Sequence, residues 1–272
     1  MSEIAKYAVM GNPISHSKSP LIHSLFAEQC GIALEYRAIH VDEGHFESAV
    51  RQFRAIGGKG LNITVPFKIE AWKLADRRST RAELAGAVNT LKFLDSGNIY
   101  GENTDGLGMI QDITVNLAKS VTGARVLVIG AGGAVRGVLG PLLEAQPALV
   151  HIANRTAARA VELAAVFAGS GPCTASGLDG IGSASFDIVI NGTAASLQGA
   201  VPDLPGSIFA EDALAYDMMY GSEPTSFLVW AEKNGAALCS DGLGMLVEQA
   251  AESFQIWHAI RPQTAAVIQQ LR

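Results

Sequence analysis

Cysteine is scarce in this chain of 272 residues: Cys30, Cys173 and Cys239 stand far apart, and their odd number leaves one without a mate. A disulfide framework is excluded, no Cys/His cluster has metal-ligand spacing, and a reducing, cytoplasmic location is expected. Basic runs are missing too: 26 acidic residues outweigh 20 basic ones, for a net charge of −6. Neither nucleic acid nor an anionic membrane surface is an expected partner, so any anionic ligand must be held by local groups. No uninterrupted apolar run approaches membrane-spanning length, and Met1-Ser2-Glu3-Ile4-Ala5-Lys6 carries no apolar signal segment. Charge is sparse at 17%, against 49% hydrophobic residues, which excludes disorder and provides for a substantial core. Two catalytic signatures are absent as well. None of the five tyrosines is followed four residues later by lysine, and no Gly-x-Ser-x-Gly elbow occurs.

What the chain does contain is centred on Val126-Leu127-Val128-Ile129-Gly130-Ala131-Gly132-Gly133-Ala134. A short apolar run enters a glycine turn and then a helical pattern. Gly130 and Gly132 allow a tight turn and a close backbone approach to a pyrophosphate seated on the helix N-terminus. A second apolar run, Leu149-Val150-His151-Ile152-Ala153, stands where a βαβ unit expects its next strand. It ends in Asn154-Arg155-Thr156, with Arg159 one turn on, where NAD-binding units carry an acidic residue. Guanidinium groups pair with a 2′-phosphate that a carboxylate would repel, so the cofactor read here is NADP(H). A structural turn followed by a solvated helix face is the competing explanation.

Around this unit, strand-like and helix-like patterns alternate. Strands are expected at Tyr7–Met10, Tyr36–Val41 and Leu61–Val65, with helices after Ser19-Pro20 and over Phe46–Ile56. Ser19 reads as the N-cap and Pro20 as a first-turn residue. Val88–Leu94 and Ile99-Tyr100 flank the turn Asp95-Ser96-Gly97-Asn98 as a hairpin, and a helix follows over Thr104–Leu117. Later strands are expected at Phe186–Asn191, Leu214–Met218 and Ala236–Ser240, and closing helices at Leu243–Trp257 and Thr264–Leu271. The alternation favours parallel sheets covered by helices, with a domain boundary near residue 105.

Polar residues at strand ends are the candidates for substrate chemistry. Ser15 and Ser17 lie in the first strand-to-helix loop, where two hydroxyls and backbone amides suit a small carboxylate; ordinary turn chemistry suits them equally. Lys68 follows the third strand and reads as one turn into a helix, flanked by Phe67 and Ile69. Partial desolvation there eases proton transfer, although a plain surface lysine fits the same pattern. Asn89, Asn103 and Asp105 sit at or beyond strand ends; Asp105 is a partner for Lys68, and helix capping is the alternative for Asn103 and Asp105.

Eight ordered motifs then carry a resemblance over nearly the whole chain. They are Ser15-His16-Ser17-Lys18-Ser19-Pro20, Asn62-Ile63-Thr64-Val65-Pro66-Phe67-Lys68, Gly86-Ala87-Val88-Asn89-Thr90 and Asn103-Thr104-Asp105-Gly106. Gly130-Ala131-Gly132-Gly133-Ala134, Asn154-Arg155-Thr156, Tyr216-Asp217-Met218-Met219-Tyr220 and Asp241–Gln249 follow. In these the chain resembles the biosynthetic, NADP-linked shikimate dehydrogenases. The resemblance implies an α/β fold, with an N-terminal α/β substrate domain (1–105, completed by helices within 243–272), a Rossmann domain (106–242) and an active site in the cleft between them. It implies that Ser15, Ser17 and Tyr220 hold the substrate carboxylate, and that Thr64, Lys68, Asn89, Asp105 and Gln249 contact ring hydroxyls. Lys68 is then the acid/base, paired with Asp105. Gly130, Ala131, Gly132, Gly133 and Ala134 take the pyrophosphate, Asn154, Arg155, Thr156 and Arg159 the 2′-phosphate end, and Met218 and Gly242 line the nicotinamide. The implied reaction is reversible reduction of 3-dehydroshikimate to shikimate with NADPH, by a monomer or homodimer whose partner is its small-molecule substrate. A catabolic quinate/shikimate dehydrogenase and a non-catalytic NADP-sensing regulator are the rival readings. Two departures stand out: Asn191-Gly192-Thr193-Ala194 lacks a hydroxyl usual in relatives, and Thr80 replaces an acidic residue that some of them carry.

Overall fold

The computed structural model describes residues 4–195 and 199–272. The part of the N-terminal reading that falls on residues 1–3 lies outside them. The chain divides into two compact units, Met1–Gly108 with Val247–Gln270, and Met109–Leu246 with Leu271–Arg272.

The first unit is built on a six-stranded sheet. Its strands are β1 (Ala5–Gly11), β2 (Leu34–His40), β3 (Gly58–Ile63), β4 (Arg77–Arg78), β5 (Thr90–Phe93) and β6 (Ile99–Glu102), with α1 (Ser19–Cys30), α2 (Phe46–Ala55), α3 (Lys68–Leu74) and α4 (Thr80–Ala85) between them. In space the order is β2-β1-β3-β5-β6-β4. β1 runs parallel to β2 and β3, but β5 is antiparallel to both β3 and β6. The sheet is therefore mixed, which corrects the expectation of parallel sheets throughout: the Asp95–Asn98 turn reverses the chain, and a tight hairpin can only join antiparallel strands. β3 also stops at Ile63 instead of running to Val65, which leaves Thr64 and Val65 in the loop beyond it. One core packs Phe46, Phe67 and Val50 against Met10, Leu61 and Leu91 of the sheet.

α5 (Asp105–Gln111) passes into a π-helical turn, Asp112–Asn116, so the single helix expected from Thr104 to Leu117 changes pitch partway. The second unit then alternates β7 (Arg125–Ile129), α6 (Gly133–Glu144), β8 (Leu149–Asn154), α7 (Ala157–Val166), β9 (Cys173–Gly177), β10 (Phe186–Asn191), β11 (Phe209–Asp217), α8 (Ser226–Lys233) and β12 (Leu238–Ser240). All six strands are parallel, in the order β12-β11-β10-β7-β8-β9. Counted from β7, this is the 3-2-1-4-5-6 order of a Rossmann sheet, in which the strand order switches between β7 and β10 while every strand stays parallel. Val126, Leu127, Val128 and Ile129 are all buried, because helices cover both faces of such a sheet.

α9 (Leu243–His258) and α10 (Ala265–Leu271) complete the chain. From Val247 on, α9 belongs to the first unit. There Trp257 stacks on Tyr7, ring centroids 4.5 Å apart, and its indole N–H donates to the Leu91 carbonyl at 3.0 Å.

Candidate functional site

Parallel pairing of β1 and β3 brings the loops that leave their carboxyl ends together. The Thr64 N–H donates to the Met10 carbonyl and the Asn12 N–H to the Val65 carbonyl, both at 3.0 Å. Ser15 is exposed and Ser17 half-buried on the first of these loops. Ser19 is the first residue of α1, not its cap; Lys18 holds the cap position without a side-chain bond, and the Ser17 hydroxyl accepts the Ser19 N–H at 3.3 Å. Pro20 sits in the first turn.

Lys68 opens α3 directly, a turn earlier than the sequence suggests, and its carbonyl accepts the Val88 N–H at 2.9 Å. Of its two neighbours in sequence, Phe67 is fully buried and Ile69 is 59% exposed, so Ile69 does not provide the shielding expected of it. The Lys68 Nζ donates to Asp105 Oδ2 at 2.5 Å. With side chains 28% and 13% exposed, the pair is drawn back from bulk water but not sealed from it. Asn89 lies just before β5 rather than at a strand's carboxyl end, and its Nδ2 donates to the other carboxylate oxygen, Oδ1, at 2.8 Å. The same nitrogen reaches Thr104 Oγ1 at 2.9 Å and Gln249 Oε1 of α9 at 3.4 Å. Each oxygen of Asp105 thus faces its own donor, which holds the plane of the carboxylate. Asn103 takes the capping role foreseen as its alternative: its Oδ1 accepts the Asp105 N–H at 3.2 Å. Lys68, Asp105, Asn89 and Gln249 therefore form one polar cluster, with Thr104 at its centre as a member the sequence reading passed over.

In the second unit the turn from β7 to α6 has the features that an anion needs. Gly130 adopts φ +112°, a backbone region closed to most side chains, and its N–H donates to the Ala153 carbonyl at 2.8 Å. Gly132 caps α6 and brings no side chain to that helix end, and a Cβ at Gly132 or Gly133 would meet nothing within 4 Å. Ala131 is half-buried and Ala134 exposed beside them. The helix amides are thereby left open to a phosphate. At the end of β8, Asn154 Nδ2 donates to the Thr156 carbonyl at 2.9 Å. The guanidinium groups of Arg155 and Arg159 are exposed and have no partner among the described residues. Open amides beside two uncommitted guanidiniums fit a phosphorylated dinucleotide.

Met218, buried just beyond β11, donates its N–H to Asn191 at 2.9 Å, and Gly242 donates to Met219 at 3.0 Å. Asp217 is fully buried and collects Thr225 Oγ1 at 2.6 Å, Asn191 Nδ2 at 3.1 Å and the Met219 N–H at 3.1 Å, which fixes this corner. Its role is one the sequence reading missed, and the acid inside Tyr216-Asp217-Met218 was the available signal. Tyr220 follows at 36% exposure, its hydroxyl pKa pushed up by burial and then by the charge of Asp241. Among the described residues, no group of three or more His, Cys, Asp or Glu side chains could hold a metal ion, and no helix is long and apolar enough to cross a membrane.

Residues 9–91 match the shikimate dehydrogenase substrate binding domain, 112–198 the shikimate / quinate 5-dehydrogenase family and 242–272 the shikimate 5'-dehydrogenase C-terminal domain. Shikimate dehydrogenase (NADP(+)) of Alkalilimnicola ehrlichii is 58% identical over 98% of both chains. Among solved structures, an Ael1 enzyme from Pseudomonas putida is 51% identical over 98% of both chains, with a TM-score of 0.95. Shikimate 5-dehydrogenase from Thermus thermophilus, solved with NADP(H) and shikimate, is 31% identical over 98% of both chains, with a TM-score of 0.87.

Proposed function

The chain belongs to the shikimate dehydrogenase family, and from that premise we propose how its own residues carry the reaction. It is an NADP-dependent oxidoreductase that reversibly reduces 3-dehydroshikimate to shikimate. NADPH, when bound, supplies the hydride. The protein must supply a proton to the oxygen that becomes the alcohol, and Lys68 is the group we assign to it: its ammonium donates in reduction, and its amine accepts in oxidation. Asp105 aims the ammonium, and Asn89 holds Asp105 from the other side. The 2.5 Å contact between Lys68 and Asp105 carries this reading, because a lysine placed only for solubility has no need of a carboxylate gripped by a second donor.

Ser15, Ser17 and Tyr220 are assigned to the substrate carboxylate, and Thr64, Lys68, Asn89, Asp105 and Gln249 to its hydroxyls. Hydroxyl donors suit a carboxylate without the tight ion pair that would slow release. The loop Gly130–Ala134 is assigned to the pyrophosphate, Asn154, Arg155, Thr156 and Arg159 to the 2′-phosphate end, and Met218 and Gly242 to the nicotinamide. Residues 1–105 with 243–272 then form the substrate domain, and 106–242 the NADP domain. A cytoplasmic location accords with the three free cysteines, and the enzyme works as a monomer or homodimer.

Initial rates with shikimate and quinate, each with NADP⁺ and NAD⁺, test the assignment. Turnover of shikimate with NADP⁺ far above the other three combinations is expected. Equal use of quinate would move the protein to the broader specificity named by the family matched at 112–198. Binding without turnover would make it a sensor.

A further inference from the structure

Beneath the polar cluster lies a second layer of hydrogen bonds, buried at Thr90, Ser253, Asn62 and His23. Ser253 stands one helical turn after Gln249 on α9, on the same face. Its Oγ lies 2.7 Å from Thr90 Oγ1, the residue next to Asn89. Thr90 and Ser253 are both fully buried. The Thr90 hydroxyl reaches Asn89 Oδ1 at 3.0 Å, and the Ser253 hydroxyl reaches the Gln249 carbonyl at 3.0 Å. Each hydroxyl has one hydrogen, so one of them donates across the pair and the other points outward. Both arrangements end on a residue assigned above to the substrate.

Asn62 completes the arrangement from below. Its Nδ2 donates to Ser253 Oγ at 2.9 Å and to Thr90 Oγ1 at 3.2 Å. Its Oδ1 accepts Tyr36 OH at 2.7 Å and lies 3.1 Å from His23 Nε2. Acceptance by Oδ1 requires His23 to carry its proton on Nε2. The other nitrogen, Nδ1, is then a buried acceptor with no partner among the described residues. A phenyl ring would stack on Tyr36 as flatly without stranding a nitrogen, so what the imidazole adds is a donor to Asn62. The layer spends buried polarity to fix the direction of one carboxamide, and that carboxamide supplies both hydroxyls.

We propose that Thr90 and Ser253 are positioning residues: the hydroxyl pair locks β5 to α9 and so holds Asn89 and Gln249 at the spacing from which they meet the substrate's hydroxyls. The inference rests on the reading that Gln249 and Asn89 contact substrate. Lys68 bonds to neither hydroxyl and is reached only through Asn89 and Asp105, so binding of shikimate suffers more than the chemical step.

The test uses the full-length enzyme and the variants Ser253→Ala, Thr90→Val, Thr90→Ser and Gln249→Ala, with Ser253→Ala also made in the Gln249→Ala background. Ser253→Ala and Thr90→Val should each raise KM for shikimate about tenfold, the equivalent of one net hydrogen bond. Their kcat should fall less, their KM for NADP⁺ should stay at the wild-type value, and Thr90→Ser should restore KM. Loss of folded protein lowers the active fraction but leaves KM alone, so this split separates positioning from mere stability. In the Gln249→Ala background, Ser253→Ala should raise KM by less than it does alone, because only the link through Thr90 to Asn89 is left to disturb. Wild-type KM in Ser253→Ala, with Gln249→Ala impaired, overturns the inference and leaves the reading of Gln249 standing. Wild-type KM in Gln249→Ala removes that reading and the inference with it. Should Thr90→Val fail to fold, Ser253→Ala and the paired background decide alone.

Discussion

Replacing Lys68 by alanine and, separately, by arginine divides its charge from its proton. Alanine removes both. Arginine keeps the positive charge beside Asp105, but a guanidinium does not deprotonate in a protein. In either variant Asp105 retains the Asn89 amide at 2.8 Å and its backbone link to Asn103, so the rest of the cluster has little reason to move. The ion pair is partly wet, 28% and 13% exposed, and its loss should cost stability no more than about 1 kcal/mol. Catalysis should suffer far more. A positioned acid/base contributes about 10²–10⁴-fold, so kcat should fall by that factor, or roughly 3–5.5 kcal/mol of barrier, in both variants. KM for shikimate should change less. The assay is steady-state formation of NADPH from shikimate and NADP⁺, beside a thermal melt of each variant. An arginine variant within about threefold of the wild-type kcat would refute proton transfer by Lys68, because only its charge would then matter.

Other outcomes follow from the same geometry. Arg155→Ala should raise KM for NADPH by roughly tenfold, about 1.5 kcal/mol for one charge-assisted contact, and leave KM for NADH nearly unchanged; equal effects on the two cofactors would contradict the 2′-phosphate assignment. Gly132→Ala should lower the melting temperature only slightly, since a Cβ there meets nothing within 4 Å and only a little N-cap preference is lost, while NADP⁺ affinity falls. Gly130→Ala should instead lower stability by about 1–3 kcal/mol, because φ at that residue is +112°; identical melts for the two glycine variants would refute the distinction. Burial pushes His23 down to about 3, from 6.5 in the unfolded chain. Between those values the unfolded chain binds a proton that the folded one does not, so stability is lost as pH falls, by about 2 kcal/mol near pH 5. Urea melts at neutral pH and near pH 5 should give a shallower pH dependence for His23→Phe than for wild type, and an unchanged slope would count against a neutral buried imidazole.

Much of the second unit was legible because its signals are local. A run such as Val126–Ile129 flowing into Gly130 and Gly132 needs only neighbouring residues to specify strand, turn and helix, and the helix N-terminus follows from the same few positions. Arg155 and Arg159 were readable for a similar reason, since one strand end and one helical turn place them. The Asp95–Asn98 turn likewise announced the β5–β6 hairpin. Helix starts were less readable. Ser19 and Pro20 look like cap and first turn, yet α1 opens on Ser19, and Lys68 opens α3 instead of standing a turn inside it. A cap is decided by the backbone angle of one residue, which tertiary packing sets and composition only biases.

From the amino-acid order alone came the α/β alternation, the glycine turn, the basic residues after β8 and a set of polar residues at strand ends. What only folding decided is who meets whom. Strand order inserts β5 antiparallel beside β3, and the pairing of Thr90 with Glu102 on β6 puts Asn89 next to Asp105. Asn62 and Ser253 are 191 residues apart in sequence and 2.9 Å apart in space. Tyr216 and Asp112, 104 residues apart, bond at 2.7 Å in the interior. Such contacts have no periodicity or spacing to reveal them: a hydrogen bond depends on two atoms arriving within about 3 Å, and that separation is set by the packing of whole elements.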